Sequence, residues 1–382
     1  MTASTRGGAR TAASCRLDDL VAVLAEPTDP ADYPHAAAVE QGIVVYTPAG
    51  LAGAPDTELV RALADGPGVV AVRGAFDTAT VRQASDVIRA MIAEQRAAGA
   101  ESGDHFARPG SNDRVWEALG KLALRDPDVF VDYYANEALA RVSAAWLGPG
   151  YQMTSQVNVV NPGSGAQVGH RDYHLGFLPA STIERYPDHV HRLSPVLTLQ
   201  AAVAHSDMPS ETGPTCYLPH SQKYGSGYLA TGRDDFRRFF DDHHVQPALR
   251  TGDAVFFNPA VIHGAGANRT DGTHRMANLL QVSSAFGRAM EAVDRERVCA
   301  AVYPALLRRV DADPDGVDRA VASAAEGYPF PTNLDRDPPL DGLAPPSQAE
   351  LLRTALARRW PADRVVAALA AQSARRTPGT AT

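Results

Sequence analysis

The sequence predicts a β-rich α+β fold, a β-sandwich or barrel wrapped by helices on both sequence flanks, on three observations. From Tyr151 to about Phe286 the chain breaks into short apolar runs punctuated by Gly, Pro, Asn and Asp, the spacing of an all-β core. On either side of that stretch, apolar residues recur at helical rather than alternating intervals. Ten of the twelve histidines fall between His170 and His274, which points to the β-rich region as the seat of the chemistry.

The elements follow in order. Gly68-Val69-Val70-Ala71-Val72 reads as a short buried strand, and Asp77 opens a helix through Val81, Ala84, Val87, Ile88 and Met91. A second helix is expected over Asn136 to Trp146, stopped by Gly148-Pro149-Gly150. Strands are expected at Met153–Val160, Ser194–Ser206, Thr215–Leu218, Ala254–Asn258 and Met276–Ser283. Helical patterns then cover Ala289–Val310, Gly316–Ala325 and Ser347–Leu369, with a Pro-rich connector, Tyr328–Pro346, before the last. One domain is expected over 15–372, with its core at about 150–287 and a helical extension over 288–372. The small, polar, aperiodic ends, 1–14 and 373–382, are expected to be disordered.

Composition narrows the function classes. A net charge of −8 argues against non-specific binding to nucleic acid or an anionic membrane. No apolar run approaches the roughly 20 residues that span a bilayer, and Met1–Ser14 has no apolar stretch of the secretory kind. Cys15, Cys216 and Cys299 are odd in number and far apart, so neither a disulfide framework nor a zinc knuckle is expected, and a cytoplasmic location follows. No Walker loop, strand-linked GxGxxG or GxSxG elbow is present.

The chemistry-bearing string is His170-Arg171-Asp172-Tyr173-His174. A histidine and a carboxylate two residues apart on extended chain share one face. His263, about 90 residues downstream at the end of Gly252-Asp253-Ala254-Val255-Phe256-Phe257-Asn258-Pro259-Ala260-Val261-Ile262, adds a second imidazole. Two imidazoles and one carboxylate cover one face of an octahedral ion and suit non-haem Fe(II). If Asn268–Gly272 form a five-residue hairpin loop, position 265 pairs with 275, and Arg275 shares His263's face at roughly 7–8 Å; a two-residue Asp-Gly turn puts them on opposite faces. An arginine there can grip a carboxylate bidentately, as the far end of a dicarboxylate such as 2-oxoglutarate requires. Arg269, the competitor, lies at the loop tip.

This constellation resembles the phytanoyl-CoA dioxygenase family. The likeness runs from about Gly68 to Phe286 and includes HxD, Glu211-Thr212-Gly213-Pro214 leading to Leu218-Pro219-His220-Ser221, Gly252-Asp253 to His263, and Arg275. It departs at His220, where the family usually has glycine, and the spacing from His263 to Arg275 is one residue longer than the commonest form. The resemblance implies a double-stranded β-helix (jelly-roll, cupin-like) core and an Fe(II)- and 2-oxoglutarate-dependent dioxygenase. It makes His170, Asp172 and His263 the iron ligands and catalytic centre, and Arg275 the clamp on the 2-oxoglutarate C5 carboxylate. O2 and a small-molecule substrate, with secondary metabolism as one setting, complete the expectation. Asp172 argues against halogenation, for which that position is left to chloride.

Thr154, Gln156 and Asn158 alternate along one strand, and either line the cavity or form a solvent face. Asn158 is the better candidate to touch the cosubstrate and Gln156 the next; Thr198 and Gln200 pose the same choice on the following strand. His174 is open between cavity contact and satisfied structural histidine. His189 with His191 and His243 with His244 are expected on polar, solvated segments. The loop Tyr173–Pro195 and the C-terminal helices are expected as the lid. Two other classes stay open: a cupin-like Zn(II) or Mn(II) hydrolase or isomerase, in which Arg275 has no evident job, and a non-catalytic binding protein on the same fold. The substrate and the oligomeric state are not legible.

Overall fold

The computed structural model describes residues 10–99, 110–340 and 342–378. Ten strands carry the core: β1 (Ala38–Glu40), β2 (Ile43–Tyr46), β3 (Val69–Val72), β4 (Asn112–Val115), β5 (Gln152–Val160), β6 (Thr198–Ala204), β7 (Thr215–Leu218), β8 (Ala254–Phe257), β9 (Ile262–Ala265) and β10 (Arg275–Ser283). Eight form one sheet in the order β1-β2-β3-β8-β6-β10-β5-β4, antiparallel except for β2 beside β3. The remaining two, β7 and β9, form a second sheet, extended on its far side by a bridge between His170 and His263. The two sheets enclose a cavity lined from both sides, in a jelly-roll core flanked by helices. Helix exceeds strand over the described residues, because helices flank the β core on both sides in sequence.

Alternation gives the large sheet two apolar faces. Val70, Leu199, Val203, Phe256, Leu280 and Val282 point outward and join one core with Leu139, Val302, Tyr303 and Leu352 of the helices before and after the β region. Val69, Ala71, Val255 and Phe257 point inward and pack with Tyr217 and Val261. Each such side chain, once buried, contributes roughly 1.5–3 kcal/mol, so both faces of the sheet are held firmly. Asp77 caps the helix Thr78–Ala97 by accepting from the Ala79 and Thr80 amides, and Asn136 caps Glu137–Leu147 in the same way.

Several boundaries differ from expectation. Ser194–Leu197 is a 3-10 turn ahead of β6. The last helical stretch is two helices, Gln348–Ala357 and Ala362–Arg376, because Pro361 cannot continue the first. That second helix runs past residue 372, while the described part of the N-terminal segment includes a 3-10 turn at Ala12–Ser14 capped by Thr11; positions 1–9 and 379–382 lie outside the described residues. The stretch from Ala254 to His263 is not one strand. Asn258 breaks it: its Oδ1 accepts from the Ala260 amide, its carbonyl from the Val261 amide, and its Nδ2 donates to Leu63. The chain thereby leaves the large sheet at Phe257 and enters the small one at Ile262.

Candidate metal centre

Backbone pairing creates the centre. His170 and His263 exchange both backbone hydrogen bonds, 2.9 and 3.0 Å, so they sit directly opposite each other and project to the same side. The Asp172 amide donates to Pro259 O at 3.1 Å, and with a period of two Asp172 falls on that side as well. The imidazole rings lie 4.6 Å apart. Arg171, between them, points the opposite way, is buried, and donates to Ser221 O and Tyr224 O with its guanidinium 5.3 Å over the Tyr228 ring. It ties the His170–Asp172 segment to the turn that follows β7.

The donor atoms are turned correctly for one ion. His170 Nδ1 donates to Val168 O at 2.8 Å, and His263 Nδ1 to Val261 O at 2.9 Å. Both rings are thereby fixed with Nε2 free, the usual device for orienting a metal-binding histidine. Those Nε2 atoms lie 3.6 and 3.4 Å from the two Asp172 oxygens, and all three residues bring ligand atoms within 4.8 Å of one another. Gln200 Nε2 donates to Asp172 Oδ2 at 2.6 Å. Burial raises the Asp172 carboxyl, but His263 and His170 together with Gln200 outweigh it and hold the group well below the ordinary carboxylate range. Burial also pushes the His170 imidazole below its ordinary value, with His263 adding to the effect. A deprotonated carboxylate is the form that binds a divalent cation.

Arg275 reaches the same cavity by a different route from the expected hairpin. β9 and β10 do not pair: β9 lies beside β7, and β10 lies between β5 and β6. Residues 266–274 cross from one sheet to the other, anchored by Asn268, whose amide donates to Ser164 O and whose Nδ2 donates to Thr273 O. The convergence of His263 and Arg275 comes from two inner faces meeting, not from cross-strand register. Arg275 is buried, its Nη1 has no hydrogen-bond partner, and no carboxylate lies within ion-pair distance of it among the described residues. Burial lowers its guanidinium to about 10. Arg269 instead is exposed and donates to Ser210 O at 3.4 Å.

The cavity between the sheets measures about 520 Å³. In register, Asn158 stands opposite Ala277, Gln156 opposite Leu279 and Gln281 opposite Gln200, so Gln156, Asn158 and Gln200 all line it. β5 is paired on both sides, by β4 and β10, and is therefore not an edge strand with a solvent face. Asn158 Oδ1 has no partner, and Gln156 Nε2 lies 3.5 Å from Met290 Sδ. Thr154 donates to Gln281 O at 3.0 Å and is satisfied within the sheet. His174 Nδ1 lies 3.4 Å from Ser194 Oγ, whereas His243 and His244 bond the Phe239 and Phe240 carbonyls. Of the expected lid, Gly176 and Phe177 line the cavity; from the C-terminal part Met290 does so, ahead of the first helix there. The helices themselves pack on the outer face of the large sheet. Arg114 and Trp116, also in the lining, had no sequence signal, because Asn112-Asp113-Arg114-Val115 shows no apolar alternation.

His220 adopts a backbone conformation that glycine usually supplies. Its φ of +69° is left-handed, the region glycine enters freely, and Thr28 Oγ1 lies 2.9 Å from its Nε2.

The family model for phytanoyl-CoA dioxygenase (PhyH) matches residues 64–277, more than half of the chain. The chain belongs to the phytanoyl-CoA dioxygenase family. Among curated proteins it is 31% identical over 156 residues to dioxygenase ALT11 of Alternaria alternata, covering 37% of this chain and 45% of that one. It is 30% identical over 121 residues to dioxygenase trt7 of Aspergillus terreus (strain NIH 2624 / FGSC A1156), covering 32% and 37%. The matches thus span less than half the length of each of these relatives. Among solved structures it is similar to the non-heme alpha ketoglutarate dependent carbocyclase SnoK from nogalamycin biosynthesis, with TM-score 0.43, 20% identity, and 62% of this chain and 86% of that one covered. It is also similar to HygX from Streptomyces hygroscopicus, solved with nickel and 2-oxoglutarate bound, with TM-score 0.42, 16% identity, and coverage of 63% and 92%. No helix among the described residues is long and apolar enough to cross a membrane.

Proposed function

We propose that this family member is an Fe(II)- and 2-oxoglutarate-dependent oxygenase that oxidises an unactivated C–H bond of a small molecule, in secondary metabolism. The observation that carries the reading is Arg275. A buried guanidinium without a counter-ion is costly, and this one shares a cavity with a His-Asp-His triad. A dicarboxylate held at the triad by one end and at Arg275 by the other relieves that cost. Both curated relatives are named dioxygenases, which supports the same class.

In this reading His170, Asp172 and His263 hold Fe(II), and Arg275 takes the C5 carboxylate of 2-oxoglutarate through charge-assisted hydrogen bonds. Asn158 and then Gln156 are the further contacts to the cosubstrate. Iron held in this way supplies O2 activation coupled to decarboxylation of 2-oxoglutarate to succinate and CO2. The chain's own residues position and exclude. Val168 and Val261 carbonyls fix the two imidazoles, Gln200 holds Asp172 Oδ2, and the apolar inner faces keep water from the reacting carbon. Three free, widely separated cysteines, all buried, support a reducing, cytoplasmic setting.

A Zn(II) or Mn(II) hydrolase on the same triad leaves Arg275 unexplained. The test is succinate release from 2-oxoglutarate on adding Fe(II) and ascorbate under air. We expect turnover that His170→Ala abolishes; turnover persisting in that variant would remove the site assignment.

A further inference from the structure

At neutral pH 2-oxoglutarate offers only hydrogen-bond acceptors, so it cannot satisfy an acceptor in the wall around it. The wall presents one beside the metal triad. A carboxylate only accepts, so Gln200 must turn its amide nitrogen to Asp172, 2.6 Å away. Its Oε1 is fixed by that bond, buried and without a partner. Gln281, directly opposite Gln200 in the ladder, holds a second buried Oε1 with no partner.

Among the described residues the mouth of the cavity is largely apolar. Val168, Phe177 and Met290 line the cavity and are 55%, 52% and 38% exposed, so they form its rim, with Trp116 deeper. Among the described residues, the arginines of the lining are Arg275 and Arg114. Both are buried, and Arg114 lies 4.7 Å over the Trp116 ring. A coenzyme A thioester would bring its phosphates to a rim that, among the described residues, offers them Val168, Phe177 and Met290. The cavity of about 520 Å³ has to take 2-oxoglutarate as well as the substrate, and falls in the range of about 300–1,000 Å³ of small-molecule pockets.

We infer that the substrate is an uncharged, largely apolar molecule of several-ring size that donates a hydrogen bond, from a hydroxyl or N–H, to Gln200 Oε1. Phe177 and Met290 grip its body at the mouth. The inference rests on the 2-oxoglutarate reading, because that cosubstrate's lack of donors is what reserves Gln200 Oε1 for the substrate.

The test uses N-phenyl-1-naphthylamine, an uncharged three-ring fluorophore with one N–H, titrated into the full chain loaded with Zn(II) and 2-oxoglutarate. Calorimetric 2-oxoglutarate binding is measured on the same samples. The probe binds and brightens; Phe177→Asp, a change at a partly exposed position, weakens it at least tenfold while 2-oxoglutarate binding is unchanged. The N-methyl analogue, which has no donor, binds about tenfold more weakly, the order expected for a buried acceptor left unpaired. Palmitoyl-CoA does not displace the probe. The inference is overturned if the probe fails to bind while 2-oxoglutarate binds, if Phe177→Asp binds the probe as well as the wild type does, if the N-methyl analogue binds equally well, or if palmitoyl-CoA competes. Failure of the wild type to bind 2-oxoglutarate would overturn the cosubstrate reading, and the inference with it.

Discussion

On the large sheet, Gln156, Asn158, Gln200 and Arg275 reach the cavity along regular ladders, each paired across β5, β6 and β10. On the opposite wall His263 sits in the β7–β9 ladder, but His170 and Asp172 depend on one bridge to it and a few single bonds: Pro259 O to the Asp172 amide, Val168 O and Val261 O to the imidazoles, and Ser221 Oγ accepting from the Ile262 amide at 2.7 Å. Backbone strain gathers on that second wall, with Tyr173, His174 and His220 at φ +65°, +43° and +69°. A regular ladder spreads the placement of a side chain over many bonds. The irregular wall concentrates it, so single changes there should disturb geometry more than equal changes on the ladder, whose members act through charge and polarity.

The largest effect that separates the two walls is expected at Arg275. Arg275→Leu should raise the KM for 2-oxoglutarate by about 100-fold or more, since two charge-assisted bonds at about 1.5–3 kcal/mol each are lost. Metal binding should be kept. Without cosubstrate the variant should unfold at the same temperature as the wild type or higher, because an unpaired buried cation has been removed. A drop in the melting temperature of the metal-free variant would count against the unpaired state of Arg275. Next comes Gln200→Leu, which frees Asp172 Oδ2; metal affinity read by calorimetry should fall about 10- to 100-fold, with little change in 2-oxoglutarate affinity once the site is saturated with metal.

Away from both walls, His205 is buried and neutral, its Nδ1 2.9 Å from Ser85 Oγ and its Nε2 2.8 Å from Tyr133 OH. Burial lowers its pKa to about 3, from an ordinary 6.5. The unfolded chain therefore takes up this proton first, so the stability is fully present above about 6.5 and is lost as pH falls toward 3. Urea unfolding of the metal-free protein should show roughly 1 kcal/mol less stability at pH 5.5 than at pH 7.5; equal or greater stability at the lower pH would contradict this. The smallest effect is expected for His220→Gly. Relief of the left-handed backbone and loss of the Thr28 contact should nearly cancel, leaving a change under about 1 kcal/mol in chemical denaturation.

The contrast between the walls also explains what could be read from the residues. β5, β6 and β10 were legible because Val157 and Val159 alternate with Gln156 and Asn158, and Leu199 and Val203 lie among inward-facing partners. His170, Asp172 and His263 were legible as residue types at a spacing, but not their bridge, which is a tertiary contact with no local signal. Arg275 was selected through a hairpin that does not exist. It lies in the cavity because residues 266–274 change sheets, and an Asn-anchored crossover and an Asn-Arg-Thr-Asp-Gly hairpin look alike in one dimension. β4 was missed because Asn112, Asp113 and Arg114 are polar and yet buried. The end of β8 at Asn258 is legible in Asn258-Pro259, whereas β9 is not, because Ile262-His263-Gly264-Ala265 shows no alternation. Polarity pattern records which face is buried, not which sheet a strand joins.

The central claim is that the triad and Arg275 serve one ligand from two walls. Calorimetric titration of 2-oxoglutarate into the anaerobic protein, with and without Fe(II), in wild type, Asp172→Ala and Arg275→Leu, tests it directly. The account predicts one site whose affinity requires the metal, falls by about 100-fold or more in Arg275→Leu, and loses its metal dependence in Asp172→Ala. Binding of equal strength with and without Fe(II), unmoved by either substitution, would contradict it.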